Sequence, residues 1–173
     1  MSISLFATSL PVFQTTLSNL LHCLEKAEAH ALARKFEADV YVNLRLAPDM
    51  LPSAAQIRIA CDVAKNGAAR LAGIEAPKFE DNETTFTELK ARITKTLNWL
   101  GTVPASALDG REEAEITFPV GRDKTRTMQA ADYLKQVALP NLYFHTVTAY
   151  ALLRHNGVDL GKGDFLMGAQ ASA

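Results

Sequence analysis

The stretch Pro140-Asn-Leu-Tyr-Phe-His-Thr-Val-Thr-Ala-Tyr-Ala-Leu-Leu-Arg-His-Asn-Gly157 reads as one helical run. Proline suits a first helical turn, where its missing N–H is not needed, and glycine suits the stop. Arg154 and His155 fall in the last turn, where positive charge complements the helix dipole. At about 100° per residue, Leu142, Ala149 and Leu152 share the side that carries His145, flanked by Asn141 and Asn156. An imidazole on that apolar stripe must be hydrogen-bonded, metal-bound or facing a cavity, because a buried polar group without a partner costs a few kcal/mol.

Upstream, the same helix extends back to about Gln129 and is expected to kink or break around Pro140, which removes the bond to the carbonyl of Gln136. Three further helical patterns precede it. The first runs from about Pro11 to Phe36, with Ser9 and Pro11 as cap and first-turn proline. Its apolar side holds Phe13, Leu17, Leu20, Leu21, Leu24 and Ala31. His22, Lys26 and His30 lie off that side and are expected in solvent. The second runs from about Ser53 to Leu71 and stops at Gly73, with the stripe Gln56, Ile59, Ala60, Val63, Gly67 and Leu71. Its small residues Ala60, Ala64, Gly67 and Ala68 let a neighbouring helix come close. The third starts near Thr85, where Thr85-x-x-Glu88 makes a capping box, and Phe86, Leu89, Ile93, Leu97 and Leu100 give its stripe. Between Ala114 and Met128, Glu115-Ile-Thr-Phe-Pro-Val120, a turn at Gly121–Lys124 and Thr125-Arg-Thr127 suggest a small hairpin or ordered loop. Beyond Gly157, Leu160, Phe165 and Leu166 can pack back on the helices, and residues 169–173 are expected to fray.

These patterns predict an all-α protein: a four-helix bundle with a short hairpin or ordered loop before the last helix, in one domain spanning residues 1–173. The 48% apolar and 21% charged composition is that of a globular protein, and a formal net charge of −1 provides no basic field for nucleic acid. No apolar run is long enough to span a membrane, residues 1–24 lack the basic start of a secretory signal, and Cys23 and Cys61 form no Cys-x-x-Cys pair. The expected setting is cytoplasmic.

Four residues make the candidate site: His145, Asn141, Gln56 and Asp62. For His145 the alternatives are a satisfied core histidine, or a ligand, base or pocket-lining residue. For Gln56 they are a capping box with Ser53, or a polar pocket near His145. Asp62 and Arg70 flank the stripe of the second helix and Arg92 that of the third, positions that usually hold half-solvated ion pairs. Tyr143, Tyr150 and Arg154 share the face opposite His145 and suit a dimer contact. The glycines after residue 156 follow a helix rather than a strand and lack phosphate-loop spacing. No Glu-x-x-His pattern recurs on two helices, and no Gly-x-Ser-x-Gly elbow is present.

Pro140-Asn-Leu-Tyr-Phe-His145, Thr148-Ala-Tyr150, Leu153-Arg-His-Asn-Gly-Val158 and Gly161-Lys-x-Asp-Phe-Leu166 resemble the C-terminal signature of an uncharacterised bacterial family of the DinB/YfiT-like metalloenzyme superfamily. Pro48-Asp-Met50, Gln56-Ile57, Asp62, Arg70-Leu-Ala-Gly73, Phe86-x-x-Leu-Lys-x-Arg92 and Lys95-Thr-x-x-x-Leu100 are similar as well. The resemblance implies a four-helix bundle, often dimeric, with a divalent metal held by one histidine of the second helix and a His-x-x-x-His pair of the fourth. His145 falls on the second member of that pair, but Asn141 occupies the first, and the second helix has no histidine. A zinc site needs about three protein ligands even when catalytic.

The expected function is therefore binding of a small molecule, or an unidentified reaction, at an interior polar site around His145, without the metal triad and with no cofactor. One alternative is a divalent-metal-dependent transferase or hydrolase with rearranged ligands for zinc, nickel or iron, in which His145 is the candidate ligand. Another is a dimeric structural or stress-associated protein without catalysis. Whether the chain is an enzyme stays open; a homodimer is the expected assembly.

Overall fold

The structure, a computed structural model, describes residues 4–170. It is mostly helical, with one two-stranded antiparallel sheet. Helix α1 (Leu5–Arg34) opens on Ser4, whose hydroxyl accepts from the Ala7 amide. The start expected at Pro11 is thus too late. Pro11 lies inside the helix, and the buried Ser9 donates its hydroxyl to the Leu5 carbonyl at 2.6 Å instead of capping. An interior proline costs about 3 kcal/mol. Burial of Leu5 and Leu10 opposes that cost, at about 2 kcal/mol for each fully buried side chain. Phe13, Leu17, Leu20, Leu24 and Ala31 face the core, while Leu21 is only half-buried.

A 3-10 turn at Ala38–Asn43 then carries Tyr41 into the core. The Tyr41 hydroxyl meets His30 Nδ1 at 2.7 Å, and Asp39 accepts from the Phe86 amide at 2.7 Å. His30 is therefore half-buried and bonded rather than solvated. Helix α2 (Ser53–Ala72) ends at Gly73, whose φ of 68° is the left-handed turn that glycine adopts freely. Helix α3 (Phe86–Leu100) begins on the Thr85–Glu88 capping box. Thr85 accepts from the Glu88 amide, and the Glu88 carboxylate accepts from the amides of Thr84 and Thr85. These bonds hold its carboxyl below the usual range.

Strands β1 (Glu115–Pro119) and β2 (Thr125–Gln129) pair from Glu115 opposite Gln129 to Pro119 opposite Thr125. Ile116 and Phe118 point inward between exposed neighbours, so the alternation gives β1 a single buried face. The last helix is in three pieces: α4 (Ala130–Tyr133), a π turn at Leu134–Ala138, and α5 (Leu139–His155). The break expected at Pro140 takes the form of this widened turn, in which the Leu139 amide reaches back five residues to the Leu134 carbonyl. A proline that cannot donate to Gln136 is accommodated just after it.

Contacts among the long helices run from α1 to α3, to α2, to α5 and back to α1. Gly67 lets α2 close on its neighbours. A Cβ there would lie 3.3 Å from Phe13 Cζ and 3.7 Å from Ala138 Cβ. The two cysteines are buried free thiols, and desolvation pushes both up to about 12. Among the described residues no helix is long and apolar enough to cross a membrane.

Helix α6 (Lys162–Met167) packs back on α1. Asn19 donates to the Phe165 carbonyl at 3.0 Å and accepts from the Ala169 amide at 3.1 Å. Ala169 is therefore tethered, whereas residues 171–173 of the segment expected to fray lie outside the described residues. Asp164 accepts from the Gly161 amide at 2.7 Å, Lys26 Nζ at 3.0 Å and His22 Nε2 at 3.1 Å. His22 is half-buried in this contact and not in open solvent as expected. The Gly161 amide, then Lys26 and His22, lower the Asp164 carboxyl from 3.8 to about 2. A carboxylate whose folded value is depressed stabilises the fold above its unfolded value and loses that contribution as pH falls through the folded one. Acid unfolding of the wild type and of Asp164→Asn should therefore diverge above pH 3.8 and converge as pH falls towards about 2. Parallel curves across that window would show that the contact contributes nothing.

Candidate functional site

The start of α2 decides what Gln56 does. The helix is capped by Pro52, which has no N–H for a capping box to satisfy, and the Ser53 amide is already held by the Leu44 carbonyl at 2.8 Å. The Ser53–Gln56 capping box therefore does not form. Gln56 turns inward, where its Nε2 donates to the Leu51 carbonyl at 3.1 Å and its Oε1 meets His145 Nδ1 at 2.7 Å. His145 is only 9% exposed and Gln56 is buried.

The partners dictate the chemistry of this chain of bonds. A backbone carbonyl only accepts, so the glutamine atom facing Leu51 is the amide nitrogen. The atom facing His145 is then the amide oxygen, which also only accepts, so Nδ1 must carry the proton. Burial lowers the His145 pKa from 6.5 and favours the neutral ring. At neutral pH the ring therefore presents Nε2 as a bare lone pair, an acceptor, base or ligand held in one orientation. Histidines oriented by a bond at the second nitrogen are the usual arrangement at metal sites and in acid–base catalysis.

The four sequence candidates separate into two pairs. Gln56 and His145 make the buried pair. Asn141 is exposed and lies one turn before His145 on α5, where it lines a cleft of about 480 Å³ together with Asp62. The cleft lies between α2 and the segment formed by Tyr133, the π-turn residues Val137 and Ala138 and Asn141 at the start of α5, with the hairpin residues Phe118–Val120 also lining it. Asn66, Arg70 and Tyr133 supply its other polar groups. Tyr133 and the hairpin residues were not among the sequence candidates. One signal for the α2 wall was present: Ile59, Asp62, Val63, Asn66 and Arg70 recur at helical spacing on one face.

Asp62 is also committed elsewhere. It accepts from Arg92 at 3.1 Å and pairs with Lys65 at 2.8 Å. Arg92 is 3% exposed, not half-solvated as expected, and is held as well by Glu83 at 2.8 Å, Asp81 at 2.9 Å and the Glu80 carbonyl. Burying one arginine requires this many acceptors, because a charge leaving water needs paired and hydrogen-bonded partners. The result fastens the loop before α3 onto α2 and α3.

The face assigned to a dimer contact is partly used within the chain. Tyr150 stacks edge-on with Phe165 at 5.8 Å, and Arg154 reaches the Val158 carbonyl at 3.4 Å. The apolar residues that α5 leaves outward include Phe144 and Val147, 57% and 47% exposed.

The donor set does not fit the three-histidine site of the superfamily. By the resemblance, Asn141 stands where the first histidine of the pair is expected; α2 has no histidine, and its buried Gln56 bonds Leu51 and His145. No group of three or more His, Cys, Asp or Glu side chains is gathered as a metal-ion set among the described residues. Nitrogen-15 NMR of the His145 ring at pH 7 should show a protonated Nδ1 and an unprotonated Nε2. In Gln56→Leu the two tautomers should mix, and an Nε2–H ring in the wild type would break the bonding scheme.

Comparison with known proteins shows the family and the fold. The profile of a family described as "Domain of unknown function (DUF1993)" matches residues 5–166. The crystal structure of a DinB family member from Shewanella denitrificans superposes with a TM-score of 0.85 at 40% identity, covering 94% of this chain and 91% of that one. No match was found among curated proteins. With nearly its whole length matched and its fold shared, the chain belongs to the DUF1993 family and is DinB-like.

Proposed function

We propose that this protein is a single-domain, DinB-like four-helix bundle that binds a small molecule along the seam between α2 and α5 and does so without the superfamily's metal triad. The observation that supports this reading is the bond chain from the Leu51 carbonyl through Gln56 to His145, which leaves Nε2 with its lone pair in a fixed direction. Asn141, one turn before His145, lines a cleft together with Asp62; His145 and Gln56 are not among its lining residues. Two buried free thiols support a cytoplasmic setting, since reducing compartments keep cysteines unpaired.

A fragment library followed by thermal shift should yield ligands of the wild type that His145→Ala no longer binds. The substitution also leaves the Gln56 oxygen without a partner, at about 1–3 kcal/mol. Binding, not stability, is thus the deciding readout, and ligands indifferent to His145→Ala would count against the site. Elemental analysis of protein prepared without chelator or affinity tag should find less than about one divalent metal per two chains. A stoichiometric metal lost in His145→Ala would instead favour the metal-dependent transferase or hydrolase.

The same reading takes the protein as a homodimer, supported by the exposed Phe144 and Val147 beside each other on α5. Light scattering at about 50 µM, well above the Kd of a stable interface, should give twice the chain mass, and Phe144→Asp should halve it. A monomer in the wild type would remove the dimer from the proposal.

A further inference from the structure

Two half-buried arginines, Arg70 and Arg111, have no ionic partner among the described residues; Arg111 donates to the Leu71 carbonyl, and Arg70 lines the cleft. Arg58 has Glu83 as its ionic partner at 3.9 Å, Arg92 has Asp62, Asp81 and Glu83, Lys65 has Asp62, and Lys90 has Glu28 at 2.6 Å. Arg70 is half-buried, yet among the described residues no carboxylate lies within 4.0 Å of it. Its one hydrogen bond is from Nη1 to the Tyr133 hydroxyl at 2.9 Å, and its guanidinium lies 5.9 Å from the centre of that ring. Among the described residues, four of its five N–H donors thus have no protein acceptor. The two side-chain amides on the same cleft, Asn66 and Asn141, make no side-chain hydrogen bond among the described residues either.

The rest of the cleft is apolar: Ile59 and Val63 from α2, Phe118 and Val120 from the hairpin, and Val137 in the π turn. Its carboxylate, Asp62, is paired with Arg92 and Lys65. A guanidinium without a carboxylate partner on the wall of a largely apolar cleft is an arrangement that receives a planar anion on an apolar body. Guanidinium donors lie in a rigid plane that matches both oxygens of a carboxylate.

We propose that this cleft binds a small organic monocarboxylate with an apolar tail, its carboxylate on Arg70 and its tail against Val63, Phe118 and Val137. The proposal rests on the small-molecule reading above and adds the chemical class and the anchoring residue. Arg70 is paired with Tyr133 in the described structure; on binding, its remaining N–H groups turn to the carboxylate while Tyr133 keeps Nη1 in place.

Calorimetry with 4-phenylbutyrate and its uncharged twin, 4-phenylbutyramide, separates charge from shape. The wild type should bind the acid at least about tenfold more tightly than the amide. Arg70→Met should erase that preference, and Arg70→Lys should retain part of it, because charge remains while the planar fork is lost. Val120→Asp leaves Arg70 untouched, and Val120 is 42% exposed, so this variant should fold; it should weaken the acid and spare the amide. Equal binding of acid and amide by the wild type would overturn the carboxylate anchor while leaving a small-molecule site standing. No binding of the acid at about 10 mM, or an acid affinity unchanged in both Arg70→Met and Val120→Asp, would overturn the proposal outright. If the acid fails while fragments still bind through His145, the earlier reading survives without this one.

Discussion

Helix α2 can come close to its neighbours because small side chains dominate its buried face between Ala60 and Ala69. Ala60, Cys61, Ala64, Gly67, Ala68 and Ala69 are buried with side chains no larger than a thiol. A Cβ at Gly67 would already stand within van der Waals reach of Phe13 of α1 and Ala138 of the π turn. Interiors pack at the density of organic crystals, so a larger side chain at such a point forces its neighbours off their rotamers at about 1–3 kcal/mol. The closeness of α2 to α5 sets what else can happen along the seam. Gln56 can reach His145 only because the backbones are near, and Asn141 and Asp62 can share a cleft for the same reason.

Polar interactions divide this protein into fastened and open regions. Around Arg92, carboxylates from a loop and from α2 converge on one buried guanidinium. Removal of either side would strand a charge away from water, so that corner is committed to structure. Around Arg70 the balance is reversed, with donors in excess of acceptors. The two arginines look alike in sequence, each flanking an apolar stripe. Their difference comes from the loop spanning residues 80–83, whose path no local pattern dictates.

The elements with a strong local code were legible in the sequence. The Thr85–Glu88 capping box, the Gly73 stop and the alternation of β1 each depend on residues within a few positions of one another. What depended on distant partners was not legible. Pro11 was read as a helix start because the buried contacts that carry α1 back to Leu5 are tertiary. The Gln56 alternatives could not be decided without knowing that the Leu44 carbonyl takes the Ser53 amide and that Pro52 is the cap. His22 and His30 looked solvated because the partners that half-bury them, Asp164 and Tyr41, lie on other elements. Periodicity puts His145 and Asn141 on one side of a helix. Periodicity alone does not say that one of them ends up buried and the other on the rim of a cleft.

The π turn carries a consequence for how this chain can vary. Such a turn is an α-helix with one extra residue, and each residue rotates a helix by about 100°. Deleting any one residue between Leu134 and Ala138 would leave an acceptable α-helix, with every local propensity intact, yet swing the whole of α5 by about that angle relative to α4. His145 would leave Gln56, Asn141 would leave the cleft, and Leu142 and Leu152 would be turned out of the core. The chain can therefore exchange side chains on α5 one at a time, but in this stretch its length is as constrained as the identity of any single residue.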